Sequence, residues 1–262
     1  MTPEELPPSP PAPPARQGLK KLFAPVVAAG AGLLKYGAIL FKLKFFTLFF
    51  SMLASIGAYS LAFGWQFAVG FVLLILVHEL GHVVVLRSRG IKAGLPVFLP
   101  FLGAFVSMKE TPKSAYDEAL SGIAGPVFGA AGAFAVLGLA VYEDSNFLRA
   151  LAYTGFLLNL FNLLPFLPLD GGRTAAAVSP KLWVLGLVGL LGYEIYRPSP
   201  IVPLILVFGG IETYRRWRGR DTAASRAYFT LTASQRVNIG SAYLGLIAVL
   251  IWAMHTYPVP DR

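Results

Sequence analysis

An uncharged apolar run from Gly64 to Val77 leads directly into His78-Glu79-Leu80-Gly81-His82, and apolar residues then continue to Leu86. Such a run predicts a membrane-spanning helix, because about 20 predominantly apolar residues cross a bilayer as a helix. On a helix the two His of an H-E-x-x-H motif lie one turn apart on the same face, where both can bind one metal ion beside the Glu carboxylate. Ionisable side chains inside a membrane helix are costly and mark functional sites, so we expect a metal site at this position.

The composition agrees with a membrane location for most of the chain. Hydrophobic residues make up 56% and charged residues 13% of the 262 residues, whereas soluble domains average about 25% charged residues. The chain has no Cys, which excludes disulfides, Cys-zinc sites and thiol nucleophiles. The formal charge of +9 comes from basic residues that flank the apolar segments. This placement favours a lipid bilayer, and no nucleic acid, as the partner of these residues.

Seven apolar segments are candidates for crossing the bilayer. They lie at roughly residues 44–62, 65–86, 118–141, 147–168, 181–196, 200–214 and 238–256. With these spans nearly all of the 22 Lys and Arg residues fall on one side, and only Arg149, Arg197 and Arg262 fall on the other. Because cytoplasmic loops carry the excess of Lys and Arg, this pattern predicts a cytoplasmic N-terminus. We therefore expect an all-α polytopic protein of the plasma (inner) membrane, with about six to seven transmembrane helices.

The proline and charge patterns also divide the chain. Residues 1–18 are rich in Pro and lack the basic and apolar regions of a signal peptide, so we expect a disordered cytoplasmic tail. Residues 19–43 are apolar but punctuated by Lys, which is typical of an interfacial helix. The core follows at 44–196. Residues 197–262 contain C-terminal transmembrane helices and a basic cytoplasmic loop, 215–236, whose Arg residues favour a role in topology and lipid anchoring.

A short apolar segment near residues 95–106 interrupts the pattern of spans. It is too short to cross the bilayer, it contains Pro96 and Pro100, and basic residues of the cytoplasmic side flank both ends. We expect a re-entrant segment, with a β-hairpin as one form that it can take, because irregular backbone at that depth is tolerated only against protein or water. The alternative is a loop that lies on the membrane surface.

The third metal ligand has to come from elsewhere in the chain, because a catalytic zinc site has three protein ligands and one open position. His255 lies near the outer end of the last span, so a carboxylate at the cytoplasmic end of a helix is expected. Asp170 fits best, since it lies where the fourth span ends, at the same depth as the H-E-x-x-H motif. Two alternatives stay open. Asp170 can be a turn residue before Gly-Gly, and the fallback ligands are Glu118 and Glu212.

The chain resembles the site-2 protease family of intramembrane zinc metalloproteases over about residues 65–175. The residues that carry the resemblance are His78-Glu79-x-x-His82, Asn162-x-x-Pro165-x4-Asp170-Gly171, Gly103-Ala104, Met108-Lys109 ahead of Pro112, and Ala124-Gly125-Pro126. The resemblance implies one Zn2+ per chain, held by His78, His82 and Asp170, with Glu79 as the general base. It also implies a metalloendopeptidase that hydrolyses peptide bonds within or near the transmembrane segments of membrane-anchored substrates, as in regulated intramembrane proteolysis.

Substrate recognition is less clearly marked in the sequence. Asn162 can orient the peptide, stabilise the oxyanion or form a helix-helix hydrogen bond, and for Asn159 the structural role is favoured. An extended substrate can pair with the re-entrant segment by strand addition, around Val97 and Phe105. No loop has the length of a PDZ domain, so substrate choice falls to the core, the re-entrant segment or a regulatory membrane partner.

Three alternative functions compete with proteolysis. The first is a catalytically silent zinc-binding membrane chaperone or client-binding protein of the same fold, against which the intact Glu79 argues, since a pure binder needs no base. A transporter is disfavoured because no internal repeat is present. A metal enzyme of lipid metabolism is disfavoured because only three His exist in the chain.

Overall fold

A computed structural model of the chain describes residues 43–200, 202–219 and 222–259. The expected tail 1–18 and all but the last residue of the expected interfacial helix 19–43 lie outside the described residues. The packing described here is that of one unit, Thr47–Arg262. The described residues that precede this unit are helical and belong to the first helix.

The described residues form nine helices and one two-stranded sheet. In chain order these elements are α1 (Leu43–Phe63), α2 (Trp65–Ser88), β1 (Ala93–Leu99), β2 (Gly103–Met108), α3 (Ala115–Tyr142), α4 (Asn146–Asn162), α5 (Asp170–Val178), α6 (Leu182–Tyr196), α7 (Val202–Arg218), α8 (Ala223–Tyr228) and α9 (Ala233–Thr256).

Four of these helices, α1, α2, α3 and α9, are long and apolar enough to cross a membrane, and α6 is a shorter apolar helix. Large apolar side chains are exposed on their outer surfaces, as expected for helices that face lipid; examples are Leu61, Phe63, Leu185, Val188 and Leu244. The chain is therefore an integral membrane protein. Helices α4 and α7 have 17 residues each, and the number of six to seven spans stays a prediction.

The helix of the fourth expected span, 147–168, ends earlier in the structure than the sequence predicts. Helix α4 ends at Asn162, a turn follows, and α5 begins at Asp170. Pro165 and Pro168 lie in this turn, where each lacks the N–H that a continuing helix needs. Asp170 consequently occupies the start of a new helix and not the end of the span.

The segment near 95–106 is a β-hairpin, in which β1 and β2 pair antiparallel with Val97 opposite Phe105. Its turn contains Phe101 with φ 62°, and β2 begins at Gly103 with φ 91°. The second of these angles suits Gly because it has no Cβ. The N–H of Phe98 donates to the Oγ atom of Ser51 on α1, at 3.2 Å. A hydrogen bond thus joins strand β1 of the hairpin to helix α1.

Helices α2, α3 and α4 pack closely because small residues line their contacts. A Cβ added at Gly155 of α4 would lie 2.9 Å from the Cβ of Ala133 on α3. Side chains from α3, α4 and α9 form the largest part of the core, which contains Ala130, Ala133, Leu137, Ala152, Phe156, Leu163, Tyr243 and Leu250. This packing holds the middle of α2 against the middle of α3, where the candidate site lies.

Candidate metal centre

Three side-chain atoms from two helices, α2 and α5, converge on one point. The Nε2 atom of His78 lies 3.1 Å from the Nε2 atom of His82 and 3.1 Å from the Oδ2 atom of Asp170. The third side of this triangle, from His82 Nε2 to Asp170 Oδ2, is 3.2 Å. Ligand atoms at about 2.0–2.1 Å from one tetrahedral zinc ion lie about 3.3 Å apart. The triangle therefore has the size that a single small cation requires.

The hydrogen bonds of His78 determine which of its nitrogens faces the centre. Its Nδ1 atom lies 2.8 Å from the Oδ1 atom of Asn159, while the Nδ2 atom of Asn159 donates to the carbonyl of Gly155 at 2.7 Å. An amide oxygen only accepts, so Nδ1 of His78 carries the proton. The neutral imidazole then directs an unprotonated Nε2 atom toward Asp170.

His82 is oriented in the same way by a backbone group. Its Nδ1 atom donates to the carbonyl of Ser121 on α3, at 2.7 Å. The helical hydrogen bonds of α3 are interrupted nearby, because Pro126 has no N–H to donate to the carbonyl of Gly122. Both neutral imidazoles thus present lone pairs to the Asp170 carboxylate, and a metal cation at the centre satisfies all three acceptors.

Two glycines of α3 make room for these side chains. A Cβ added at Gly125 would lie 2.2 Å from the Nε2 atom of His82, and one added at Gly129 would lie 2.1 Å from the Oδ1 atom of Asn159. Both distances are far below van der Waals contact. The close approach of α3 to the His pair therefore requires Gly at both positions.

Glu79 lies beside the triangle. Its carboxylate and the imidazoles of His78 and His82 can each offer one ligand atom, all within 4.8 Å of one another. The 3.1–3.2 Å contacts with the imidazoles, however, are made by Asp170. On these distances Asp170 is the better third ligand, and Glu79 is left as a carboxylate next to the metal position.

A cavity of about 580 Å³ opens onto the centre. Its wall includes His78, Glu79, His82 and Asp170, together with most of strand β2. The rest of the wall includes the apolar side chains of Phe71, Ile75, Leu158 and Phe161. Its polar members include Tyr59, Asn162 and Arg173. The cavity can therefore hold an apolar peptide segment close to the metal position.

The other residues singled out from the sequence lie in different places. Asn162 lines the cavity, and its Nδ2 atom donates to the carbonyl of Leu158 at 2.9 Å. Phe105 also lines the cavity, whereas Val97 is its partner on the neighbouring strand. His255 is exposed on α9.

The two fallback ligands are engaged outside the centre. Arg216 donates to Glu118 at 3.0 Å and to Glu212 at 3.3 Å. The hydroxyl of Tyr228 also donates to Glu118, at 2.6 Å. Glu118 therefore connects α3 to α7 and α8, and Glu212 pairs with Arg216 within α7.

Sequence reasoning did not find several groups that the structure places at the centre. For Asn159 the sequence leaves two roles open and favours the structural one. The sequence does not single out the Ser121 carbonyl, Gly125 as a packing position or Arg173. A backbone carbonyl leaves no mark in a sequence. For Asn159 a signal exists, since it lies one turn before Asn162 on the same helix.

The fold and the site together define a class of protein. It is an integral membrane protein in which the H-E-x-x-H motif of a helix and a distant carboxylate converge on one metal position. Residues 66–145 match the sequence model of peptidase family M50. This match confirms the resemblance to the site-2 protease family seen in the sequence.

Two relatives extend this match. The chain is 35% identical over 144 residues to the zinc metalloprotease MJ0392 of Methanocaldococcus jannaschii, covering 52% of this chain and 41% of the relative. It is 31% identical over 172 residues to the protein Rip3 of Mycobacterium tuberculosis, covering 61% of this chain and 43% of the relative. The chain thus spans less than half the length of each of these relatives.

Proposed function

We propose that this chain is a zinc-dependent metalloendopeptidase that cleaves membrane-anchored protein substrates within or near their transmembrane segments. The observation that carries the proposal is the triangle of 3.1–3.2 Å formed by His78, His82 and Asp170. The match of residues 66–145 to peptidase family M50 supports it, as does the similarity to a relative named as a zinc metalloprotease. A protease needs a base beside the metal, and the proximity of the Glu79 carboxylate to the two imidazoles, within 4.8 Å, supports that role for Glu79.

His78, His82 and Asp170 would hold one zinc ion per chain. Zinc supplies Lewis acidity, which polarises a carbonyl group and lowers the pKa of water in the site. Asn159 and the Ser121 carbonyl keep the two imidazoles in the tautomer that can bind a metal. Glu79 accepts a proton from the attacking water and returns it to the leaving amine.

The membrane orientation is part of the proposal. Basic residues gather at the end of the molecule that carries the hairpin and the metal centre. There Arg89 pairs with Asp117 at 2.5 Å, and Arg236 donates to the carbonyl of Val178 at 2.8 Å. Because Lys and Arg concentrate on the cytoplasmic side, this end faces the cytoplasm of the plasma (inner) membrane, and so does the N-terminus. Water reaches the site from that side.

Substrate handling follows from the free edge of β2, the edge at which no described residue adds a further strand. The N–H of Phe98 points to Ser51 on α1 and so away from β2, which makes Phe98 and Ala104 a pair without mutual hydrogen bonds. In an antiparallel ladder such pairs alternate with bonded ones. Ala104 and Val106 therefore direct their N–H and C=O groups to the edge that β1 does not occupy.

A transmembrane helix hides its amides in internal hydrogen bonds, so the substrate has to be unwound before its peptide bond is attacked. An extended peptide added to the free edge of β2 would satisfy its own backbone groups there. Because β2 lines the cavity that contains the metal centre, such a peptide would lie beside Glu79. The hairpin thus supplies the backbone partners that the unwound segment needs.

The test is the metal content of detergent-purified protein, which needs no knowledge of the substrate. The wild type is expected to hold about one zinc ion per chain, and His78→Ala and Asp170→Ala are expected to lose it. His255→Ala, which removes the exposed third His on α9, is the matched control and should keep the metal. Glu79→Gln should keep zinc but lose all cleavage of a membrane-anchored reporter. A wild type without zinc, or zinc unaffected by Asp170→Ala, would contradict the proposal.

A further inference from the structure

Arg173 differs from the other half-buried arginines among the described residues. Arg149 donates to Asp144 at 2.7 Å, Arg216 to Glu118 at 3.0 Å and Arg236 to the carbonyl of Val178 at 2.8 Å. Within the described part of the chain, Arg173 forms no hydrogen bond or ion pair. A guanidinium has five N–H donors and no acceptor. The donors of Arg173 are therefore available to a molecule that enters the cavity, which Arg173 lines.

The position of Arg173 indicates where that partner binds. Arg173 lies one turn after Asp170 on α5, so the two side chains project from neighbouring positions of the same helix. Both line the cavity at the metal centre, as does Glu79. The side chain of Asp170 contacts His78 and His82. The charge of Arg173 acts on Glu79 from outside ion-pair distance. The guanidinium is therefore free to reach a bound peptide.

We infer that Arg173 donates hydrogen bonds to the carbonyl oxygen of the peptide bond that is cleaved. This inference rests on the proposed function and adds a catalytic residue to it. As water adds to the carbonyl carbon, one proton passes to Glu79 and negative charge develops on the carbonyl oxygen. When the C–N bond breaks, the charge returns to a carbonyl and the proton moves to the leaving amine. A fixed cation beside that oxygen stabilises the charged state.

Asn162, the other side chain considered for this role, is less well prepared for it. Its Nδ2 atom already donates to the carbonyl of Leu158 at 2.9 Å, and an amide carries no charge. Arg173 has all of its donors available, and hydrogen bonds to charged groups are about twice as strong as neutral ones. Arg173 is therefore the stronger candidate for the group that contacts the oxyanion.

The experiment uses full-length zinc-loaded protein and a dipeptide phosphinate, whose tetrahedral anionic group replaces the scissile carbonyl. Binding is measured by isothermal titration calorimetry for wild type, Arg173→Ala and Arg173→Lys. Arg226→Ala is the matched control, because it removes the same charge from an exposed position on α8, outside the cavity. Zinc content is measured for every protein, which tests the proposed function separately.

Arg173→Ala is expected to keep zinc and to bind the phosphinate about tenfold or more weakly. Arg173→Lys should be intermediate, since ammonium supplies the charge without the planar fork, and Arg226→Ala should match the wild type. Ala keeps the Cβ that faces Gly122, so the packing of α5 on α3 is preserved. Equal phosphinate binding by Arg173→Ala, or none by the zinc-loaded wild type, would overturn the inference and leave the zinc site intact. A wild type without zinc would overturn the proposed function and this inference together.

Discussion

The Nδ1 atom of His78 lies 2.8 Å from the Oδ1 atom of Asn159, so a side chain of α4 orients a metal-facing side chain of α2. Asn159 is itself held, because its Nδ2 atom donates to the carbonyl of Gly155. Asn159 is also buried, with 1% of its surface exposed. The tautomer of His78 is thus set by the packing of one helix on another.

Replacing Asn159 by Ala is expected to weaken zinc binding by about 10- to 100-fold, the usual effect of losing a group that orients a ligand. The measurement is a competition titration of zinc against a chelator. Asn162→Ala is the matched control, because Asn162 lies on the same helix and donates only to Leu158. Equal zinc affinity in the two variants would show that the hydrogen bond to His78 does not orient the ring.

Gly125→Ala is expected to disrupt the metal centre. The new Cβ would lie 2.2 Å from the Nε2 atom of His82 and 2.7 Å from that of His78, so the imidazoles or α3 must move. We expect zinc affinity to fall by at least the 10- to 100-fold that loss of an orienting group causes. Gly138→Ala on the same helix is the control, because nothing lies within 4 Å of its added Cβ. Stoichiometric zinc in Gly125→Ala would mean that α3 is farther from the His pair than described.

The free edge of β2 predicts a difference between neighbouring proline variants. Ala104→Pro removes an N–H that points away from β1, so the hairpin should remain while the cleavage rate falls about two- to tenfold, the value of one backbone hydrogen bond. Ala104→Ser keeps this N–H and should retain more activity. Phe105→Pro or Val97→Pro removes a bond of the hairpin itself and should impair cleavage more strongly. Cleavage of a membrane-anchored reporter, with zinc content alongside, provides the measurement. Unchanged cleavage by Ala104→Pro would exclude pairing at this edge.

The contact between Tyr228 and Glu118 is expected to stabilise the fold. The hydroxyl donates to a carboxylate that is 6% exposed, and a hydrogen bond to a charged group contributes about 1.5–3 kcal/mol. Tyr228→Phe should therefore lower the melting temperature in detergent. Tyr214→Phe is the control, since Tyr214 is 62% exposed on α7. Equal melting temperatures would show that the contact contributes nothing to stability.

The same contact has a pH dependence with a defined sign. Burial and the neighbouring Glu118 carboxylate raise the pKa of Tyr228 above its ordinary value of 10.0. The folded state therefore holds this proton more tightly than the unfolded state does. Its contribution is fully present below pH 10.0 and is lost only as the pH rises toward the higher folded-state pKa. The melting difference between wild type and Tyr228→Phe should thus be constant through the neutral range.

The sequence alone located the helix with the two His, the neighbouring Glu and the distant Asp170. This was possible because a helix repeats every 3.6 residues, so the spacing of H-E-x-x-H determines local geometry without tertiary contacts. Apolar runs likewise identify membrane helices from composition alone. The sequence also predicted that 95–106 would not be an ordinary span, and the structure forms a hairpin there.

Other features depended on how the helices pack. Which of Asn159 and Asn162 contacts His78 depends on the rotation of α4 about its axis, and the role of Gly125 depends on the distance between α2 and α3. The Ser121 carbonyl and the free edge of β2 are backbone groups, whose partners no residue pattern encodes. Whether Arg173 has a hydrogen-bond or ion-pair partner depends on the positions of all the side chains around it. In this protein the sequence determined which chemical groups are available, and the tertiary structure decided which of them meet, because contacts between distant segments depend on helix rotation and spacing.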